Sequence, residues 1–241
     1  MIKITFLGTG SAMTRNKSNT CFIVEQKDNI LLVDSGGGHE ILKLIEDNKF
    51  EFEKINTILI THSHIDHIYG MPFIFRRMIE LNKKIKILCS KDTKKIIETL
   101  IKLDIPKYFK IYKSLLNYTF LNRTSYYHNF KLFKVDKNQH GFILNGDKKK
   151  IAFTGDIPAN GETTSTIKNC DILIHESFCS EKQRVKEKIK IRGNHSTIEN
   201  AIKVSIEIGA EKLLATHHFT DLSTFNSDKI RIVKDGDVII I

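Results

Sequence analysis

Thirteen short runs rich in Ile, Val, Phe and Tyr recur along the 241-residue chain, and they constrain its fold more than any other feature. They span residues 2–7, 20–25, 30–34, 55–60, 85–89, 118–121, 131–135, 142–144, 151–154, 171–175, 213–216, 230–233 and 238–241. Gly, Asn, Asp or Ser bounds them, the usual punctuation of β-strands. Helical periodicity is confined to residues 39–48, 71–82, 92–103 and 197–209. Ahead of the last stretch, Ser196 and Glu199 are spaced as an S-x-x-E capping box, with Gly209 as the stop signal. Many strands with few helices predict an α/β chain of two packed sheets with helices on the outer faces. No Pro- or Ser-rich linker and no fixed-period repeat interrupts the chain, so residues 1–241 are expected to form a single domain.

Composition narrows the setting. Apolar residues make up 41% of the chain, enough for a core. No apolar run approaches the ~18 residues of a membrane span. The first residues alternate like a strand rather than forming the apolar region of a signal peptide, so a soluble, cytoplasmic protein without a membrane partner is expected. Cys21, Cys89, Cys170 and Cys179 are scattered with no C-x-x-C pair, which excludes a disulfide framework and a cysteine-based zinc site. The formal charge of +10 favours anionic partners, nucleic acid and phosphate compounds among them.

Chemistry concentrates in Thr61-His62-Ser63-His64-Ile65-Asp66-His67, directly after an apolar run. In an extended backbone, residues two apart point the same way, so His62 and His64 can grip one ion. Asp66 and His67 can reach a second ion just beyond. Imidazole and carboxylate donors without thiolate suit Zn²⁺ or Mn²⁺. A lone histidine is ordinarily a core or surface residue; four ligands in six positions after a buried strand are not ordinary. Further donors stand at strand ends: His140 before one run, Asp156 and His217 after two others. The count then closes, with His62, His64 and His140 on one metal, Asp66, His67 and His217 on the other, and Asp156 bridging.

With these residues in view, the sequence resembles the metallo-β-lactamase superfamily, and within it the ribonuclease Z-like phosphodiesterases. Phe6-Leu7-Gly8-Thr9-Gly10-Ser11-Ala12, Arg15-Asn16 and Leu32-Val33-Asp34-Ser35-Gly36 match the first motif region of that branch. His62 to His67 matches its signature, and His140, Asp156 and His217 match its remaining metal positions in order. Glu176 in His175-Glu176-Ser177 resembles the H-E-A-T motif, and His195-Ser196-Thr197 the H-S-T motif. Of the adjacent His217 and His218, only one can face a centre, and the resemblance selects His217. It further implies an αββα sandwich, a di-zinc centre and a homodimer.

The implied chemistry is hydrolysis of a phosphodiester by hydroxide activated between two divalent metal ions. Asp66 is both ligand and proton acceptor. His195, oriented by Glu176, donates a proton to the leaving oxygen. His39, His128 and His175 are read as structural or solvent-facing.

Substrate size is the open question. Ribonuclease Z proper carries a tRNA-gripping arm between its third and fourth metal motifs, yet only 15 residues separate His140 from Asp156, a length suited to a hairpin around Gly146-Asp147. The S-x-R-Y that commonly follows the last metal histidine is replaced by Thr220-Asp221-Leu222. Arm-less relatives of the anti-Pycsar type cleave 3′,5′-cyclic nucleotides, and a small anionic cyclic nucleotide is the expected substrate. A tRNA 3′-processing endonuclease is the first alternative, and a catalytically silent metal-binding module the second. If extended, Lys182, Arg184, Lys186, Lys188, Lys190 and Arg192 form a basic comb leading to His195, although a solvated strand or loop face is the favoured reading. Tyr126, Tyr127 and Phe130 are expected in the core.

Overall fold

The computed structural model describes residues 1–156, 158–188 and 195–241. The chain divides into two compact units, each built on one seven-stranded mixed sheet.

The first unit comprises residues 1–8, 17–122 and 235–241. Its elements are β1 (Ile2–Gly8), β2 (Cys21–Gln26), β3 (Asn29–Val33), α1 (Glu40–Asp47), β4 (Thr57–Leu59), α2 (Ile65–Ile68), α3 (Met71–Glu80), β5 (Ile85–Cys89), α4 (Lys91–Asp104), α5 (Phe109–Leu115) and β6 (Leu116–Phe120). A final strand, β14 (Val238–Ile240), pairs with β1 and makes the sheet order β14-β1-β2-β3-β4-β5-β6. The pairs from β3 to β6 are parallel and the others antiparallel. Ile41 and Ile45 of α1 and Ile74, Phe75 and Met78 of α3 join Ile23, Leu32, Ile58 and Ile87 of the strands in one buried cluster. Their spacing on the helices is the i, i+3/i+4 stripe that the sequence shows.

The second unit comprises residues 9–16 and 123–234. It contains β7 (Thr124–Tyr127), β8 (Phe130–Asp136), β9 (Gln139–Asn145), β10 (Lys150–Phe153), α6 (Gly161–Ile167), β11 (Ile172–Glu176), α7 (Glu181–Lys186), α8 (Ile198–Glu207), β12 (Lys212–Thr216) and β13 (Ile230–Ile232). The sheet order is β13-β12-β11-β10-β9-β8-β7, parallel from β10 to β13 and antiparallel from β7 to β10. Ile198, Ala201, Val204 and Ile208 pack the α8 stripe onto Leu173, Leu213 and Ala215. Gly146–Lys149 closes the β9–β10 hairpin, where the Gly146 N–H donates to the Lys149 carbonyl.

All thirteen strand-like runs lie on strands, with no edge moved by more than three residues. One strand, β7, has no counterpart in the sequence reading because Thr124-Ser-Tyr-Tyr is too short and polar to signal itself. Helices α2, α5, α6 and α7 are additional to the four expected; none exceeds seven residues, too short for a full periodic stripe. The cap of α8 is one residue later than expected. Thr197, not Ser196, accepts from the Asn200 N–H, while Glu199 accepts from the Glu181 N–H. The reciprocal capping box belongs instead to Ser180 and Gln183 on α7. That helix also overturns the extended comb, since Lys182, Arg184 and Lys186 lie on helical backbone; Lys190 and Arg192 fall outside the described residues. Phe130 is buried as expected, but Tyr126 is 75% exposed on edge strand β7. Among the described residues, no helix is long and apolar enough to cross a membrane.

Candidate functional site

Parallel neighbours bring their C-terminal ends to the same edge of a sheet, and both units use that edge. In the first, Asp34 follows β3 and Thr61-His62 follow β4; the Asp34 N–H donates to the Leu59 carbonyl, which seats the two strand ends side by side. The Thr61 N–H and hydroxyl donate to the Asp34 carboxylate at 2.8 Å each. His67 Nδ1 donates to Asp34 Oδ2 at 2.8 Å, and His62 Nδ1 lies 3.0 Å from the Thr61 hydroxyl. One buried carboxylate therefore sets both rings with Nδ1 as the proton-bearing nitrogen, His67 directly and His62 through Thr61. This is the outer-partner arrangement that orients metal-binding imidazoles. Burial pushes the Asp34 carboxyl up, against the pull of His67 and the Thr61 hydrogen bonds.

The H-x-H-x-D-H motif is compact. The ring centroids of His62 and His67 are 4.2 Å apart and those of His62 and His64 4.4 Å. His67 Nε2 stands 3.4 Å from Asp66 Oδ2. His62, Asp66 and His67 are buried, whereas His64, the residue before α2, is exposed. The position of α2 is fixed from below: the Ser35 N–H and hydroxyl both donate to the His67 carbonyl at 2.8 Å. Gly70 allows this approach, since a Cβ there would lie 2.0 Å from the Ser35 carbonyl oxygen.

In the second unit Asp156, Glu176 and His217 follow or end the adjacent parallel strands β10, β11 and β12. Antiparallel β9 begins at the same edge with Gln139 and buried His140, and Gln139 Oε1 accepts from the Asp156 N–H at 3.2 Å. His217 Nε2 lies 2.9 Å from Asp156 Oδ2, while its Nδ1 lies 3.6 Å from Glu176 Oε2. The same Glu176 Oε2 receives His195 Nδ1 at 2.7 Å, and Oε1 accepts from the Ser196 N–H at 2.9 Å. Glu176, His195 and His217 thus bring donor atoms within 4.8 Å of one another. His218 turns elsewhere: its ring nitrogens lie 3.2 Å from the Ser177 carbonyl and 3.3 Å from the Val233 carbonyl. His175 is fully buried, with Nδ1 donating to the Glu176 carbonyl, and burial holds its pKa below the ordinary histidine value.

These donors fit a divalent metal in kind. Each unit offers buried imidazole and carboxylate groups whose charges need a counter-charge. The four cysteines are buried and unpaired, and burial pushes Cys89 up to about 12 and Cys170 and Cys179 to about 11, so thiolate ligation is disfavoured. Asp34 was matched in the sequence only as part of a motif, with no role. Its sequence signal is no more than a carboxylate directly after an apolar strand; in the structure it has a positive φ (59°), which His217 shares (58°).

Known proteins resemble this chain in sequence and in fold. Ribonuclease Z of Bacillus velezensis is 26% identical over 90% of this chain and 87% of its own. Human tRNase Z, short form, superposes with a TM-score of 0.77 at 21% identity over 99% of both chains. The metallo-β-lactamase fold protein YhfI from Bacillus subtilis gives 0.74 at 19% identity, over 99% of this chain and 98% of its own. The fold is therefore the metallo-β-lactamase fold. The family model described as Anti-Pycsar protein Apyc1 matches residues 2–238, and the chain belongs to that family.

Proposed function

We propose that residues 1–241 act as one hydrolase domain that cleaves 3′,5′-cyclic nucleotides to nucleoside monophosphates. Membership of a family of hydrolytic enzymes makes the chain an enzyme of the metal-dependent phosphodiesterase type. His62, His64 and His140 are assigned to one ion, Asp66, His67 and His217 to a second, with Asp156 shared. When bound, two such ions lower the pKa of a water toward ~7 and polarise a phosphoryl oxygen. Zinc is the proposed ion, and the working form is a cytoplasmic homodimer.

The rest is done by side chains. Asp34 holds the His62 and His67 rings so that Nε2, not Nδ1, is the ligating atom. Asp66 accepts the proton of the attacking water. Glu176 holds His195 by Nδ1, which leaves Nε2 to carry the proton that the leaving oxygen takes. The observation that carries this reading is the Glu176 carboxylate, fully buried yet bound at once to His195 Nδ1 and the Ser196 N–H. An acid–base pair fixed at a sheet edge beside His217 suits a leaving alkoxide that must be protonated.

The four-residue β9–β10 connection supports a small substrate, because this is where ribonuclease Z proper inserts its tRNA-gripping arm. The names of the curated relatives and the charge of +10 favour a second reading, tRNA 3′-end cleavage. Incubating the zinc-loaded protein with 3′,5′-cyclic nucleotides and with 3′-extended pre-tRNA separates the two. Cyclic-nucleotide turnover is expected; turnover of pre-tRNA alone, with salt-sensitive binding, replaces the first reading by the second.

A further inference from the structure

We infer that Phe178, backed by Phe219, is a positioning residue that fixes the plane of the His195 ring. The inference rests on His195 being the proton donor proposed above. A hydrogen bond from Nδ1 to Glu176 pins one vertex of the imidazole and still lets the ring tilt about that bond. What limits the tilt is a stack of two phenylalanine rings on one face of the imidazole. Phe178 lies over His195 with centroids 4.9 Å apart and planes 13° apart. His217 stands beside this pair, with its centroid 5.3 Å from that of His195 and 6.5 Å from that of Phe178. Phe219 covers Phe178 in turn at 5.2 Å and 8°. The imidazole therefore has Phe178 over one face, while Glu176 holds its edge.

The backbone that carries the stack is tied at each level. The Phe178 N–H donates to the Ser196 carbonyl, directly after His195, and the Phe219 N–H donates to the Phe178 carbonyl. The loop bearing Phe219 is anchored to α7: the Thr220 hydroxyl donates to Gln183 Oε1, and Gln183 Nε2 donates to the Asp221 carbonyl. Gln183 is also the capping-box residue of α7. Thr220-Asp221-Leu222 thus takes a structural part in this chain, placing a second aromatic ring behind the first. Both phenylalanines are only half-buried, a poor location for rings whose purpose is core packing and a suitable one for rings that border a site.

Three variants of the zinc-loaded protein, assayed on a cyclic nucleotide, test this. Phe178→Leu is expected to lower kcat about 10- to 100-fold with KM nearly unchanged, the scale of a misaligned reacting group. Phe178→Tyr is expected to restore most of kcat, and Phe219→Leu to lose less than Phe178→Leu. In a His195→Ala background, Phe178→Leu should cost nothing further. Independently of activity, NMR of histidine-labelled protein should show the His195 ring protons, identified by their loss in His195→Ala, moving downfield in Phe178→Leu as the ring current is removed. Unchanged His195 resonances, or an undiminished Phe178→Leu penalty without His195, overturns the inference. Full activity of His195→Ala alone instead overturns the proton-donor assignment.

Discussion

The candidate donor set at residues 62–67 and the set formed by Asp156, Glu176, His195 and His217 are made in opposite ways. The first is contiguous: one strand end and one turn of helix supply four donors within six residues, and a single buried carboxylate from the neighbouring strand aligns two of them. The second is assembled by topology, from the ends of three parallel strands and a loop, across about sixty residues of chain. A contiguous set keeps its geometry as long as its local backbone does. The assembled set depends on strand register throughout its sheet, so its members are held by reciprocal contacts, such as Gln139 on the Asp156 N–H and Glu176 on both histidines.

The largest effect is expected at the carboxylates assigned to the ions. Asp66→Asn and Asp156→Asn should each cost several kcal/mol of transition-state stabilisation, roughly 10³-fold in kcat. Equal losses from the two would show that the contiguous and assembled sets serve one centre; a loss from only one would break them apart. Next in size is the acid–base pair. His195→Ala should slow hydrolysis of a cyclic nucleotide about 10²–10⁴-fold. It should scarcely affect an activated aryl phosphodiester, whose leaving group needs no proton, and comparing the two substrates checks the role. Asp34→Asn comes third, with metal affinity falling about 10–100-fold by competitive chelator titration, because both imidazoles lose their orienting acceptor.

What could be read from the sequence follows the same division. The H-x-H-x-D-H cluster is visible because residues that touch in space are neighbours in the chain. His140, Asp156 and His217 are single polar residues at strand ends, individually unremarkable, and they gained weight only by completing a ligand count and by matching the order of the motifs. Asp34 went without a role because its partners, Thr61 and His67, lie 27 and 33 residues away and meet it only through β3–β4 pairing. Phe178 and Phe219 were invisible for a related reason: ring stacking between two loops leaves no periodic trace. In the fold, long strands and the α8 stripe were legible, while α5, α6 and α7 were not, since a helix of two turns or less shows no repeat.

The smallest expected effect concerns His175 in the assembled unit. Its buried ring is held neutral, with a pKa below the unfolded value of about 6.5. The unfolded chain therefore binds the extra proton first as pH falls. The stability this group contributes is full above about pH 6.5 and is lost as pH drops from there toward the folded-state pKa. Melting temperatures at pH 7.5 and 5.5 should differ less in His175→Gln than in the native chain, and an equal difference would remove His175 from the acid response.

Metal content gives the most direct test of whether the two sets hold one pair of ions. By elemental analysis of protein purified without chelator, two zinc ions per chain are expected, falling to one or fewer in His64→Ala and equally in His217→Ala. Two ions retained in His217→Ala, or none in the native protein, would contradict a centre shared between the contiguous motif and the strand ends.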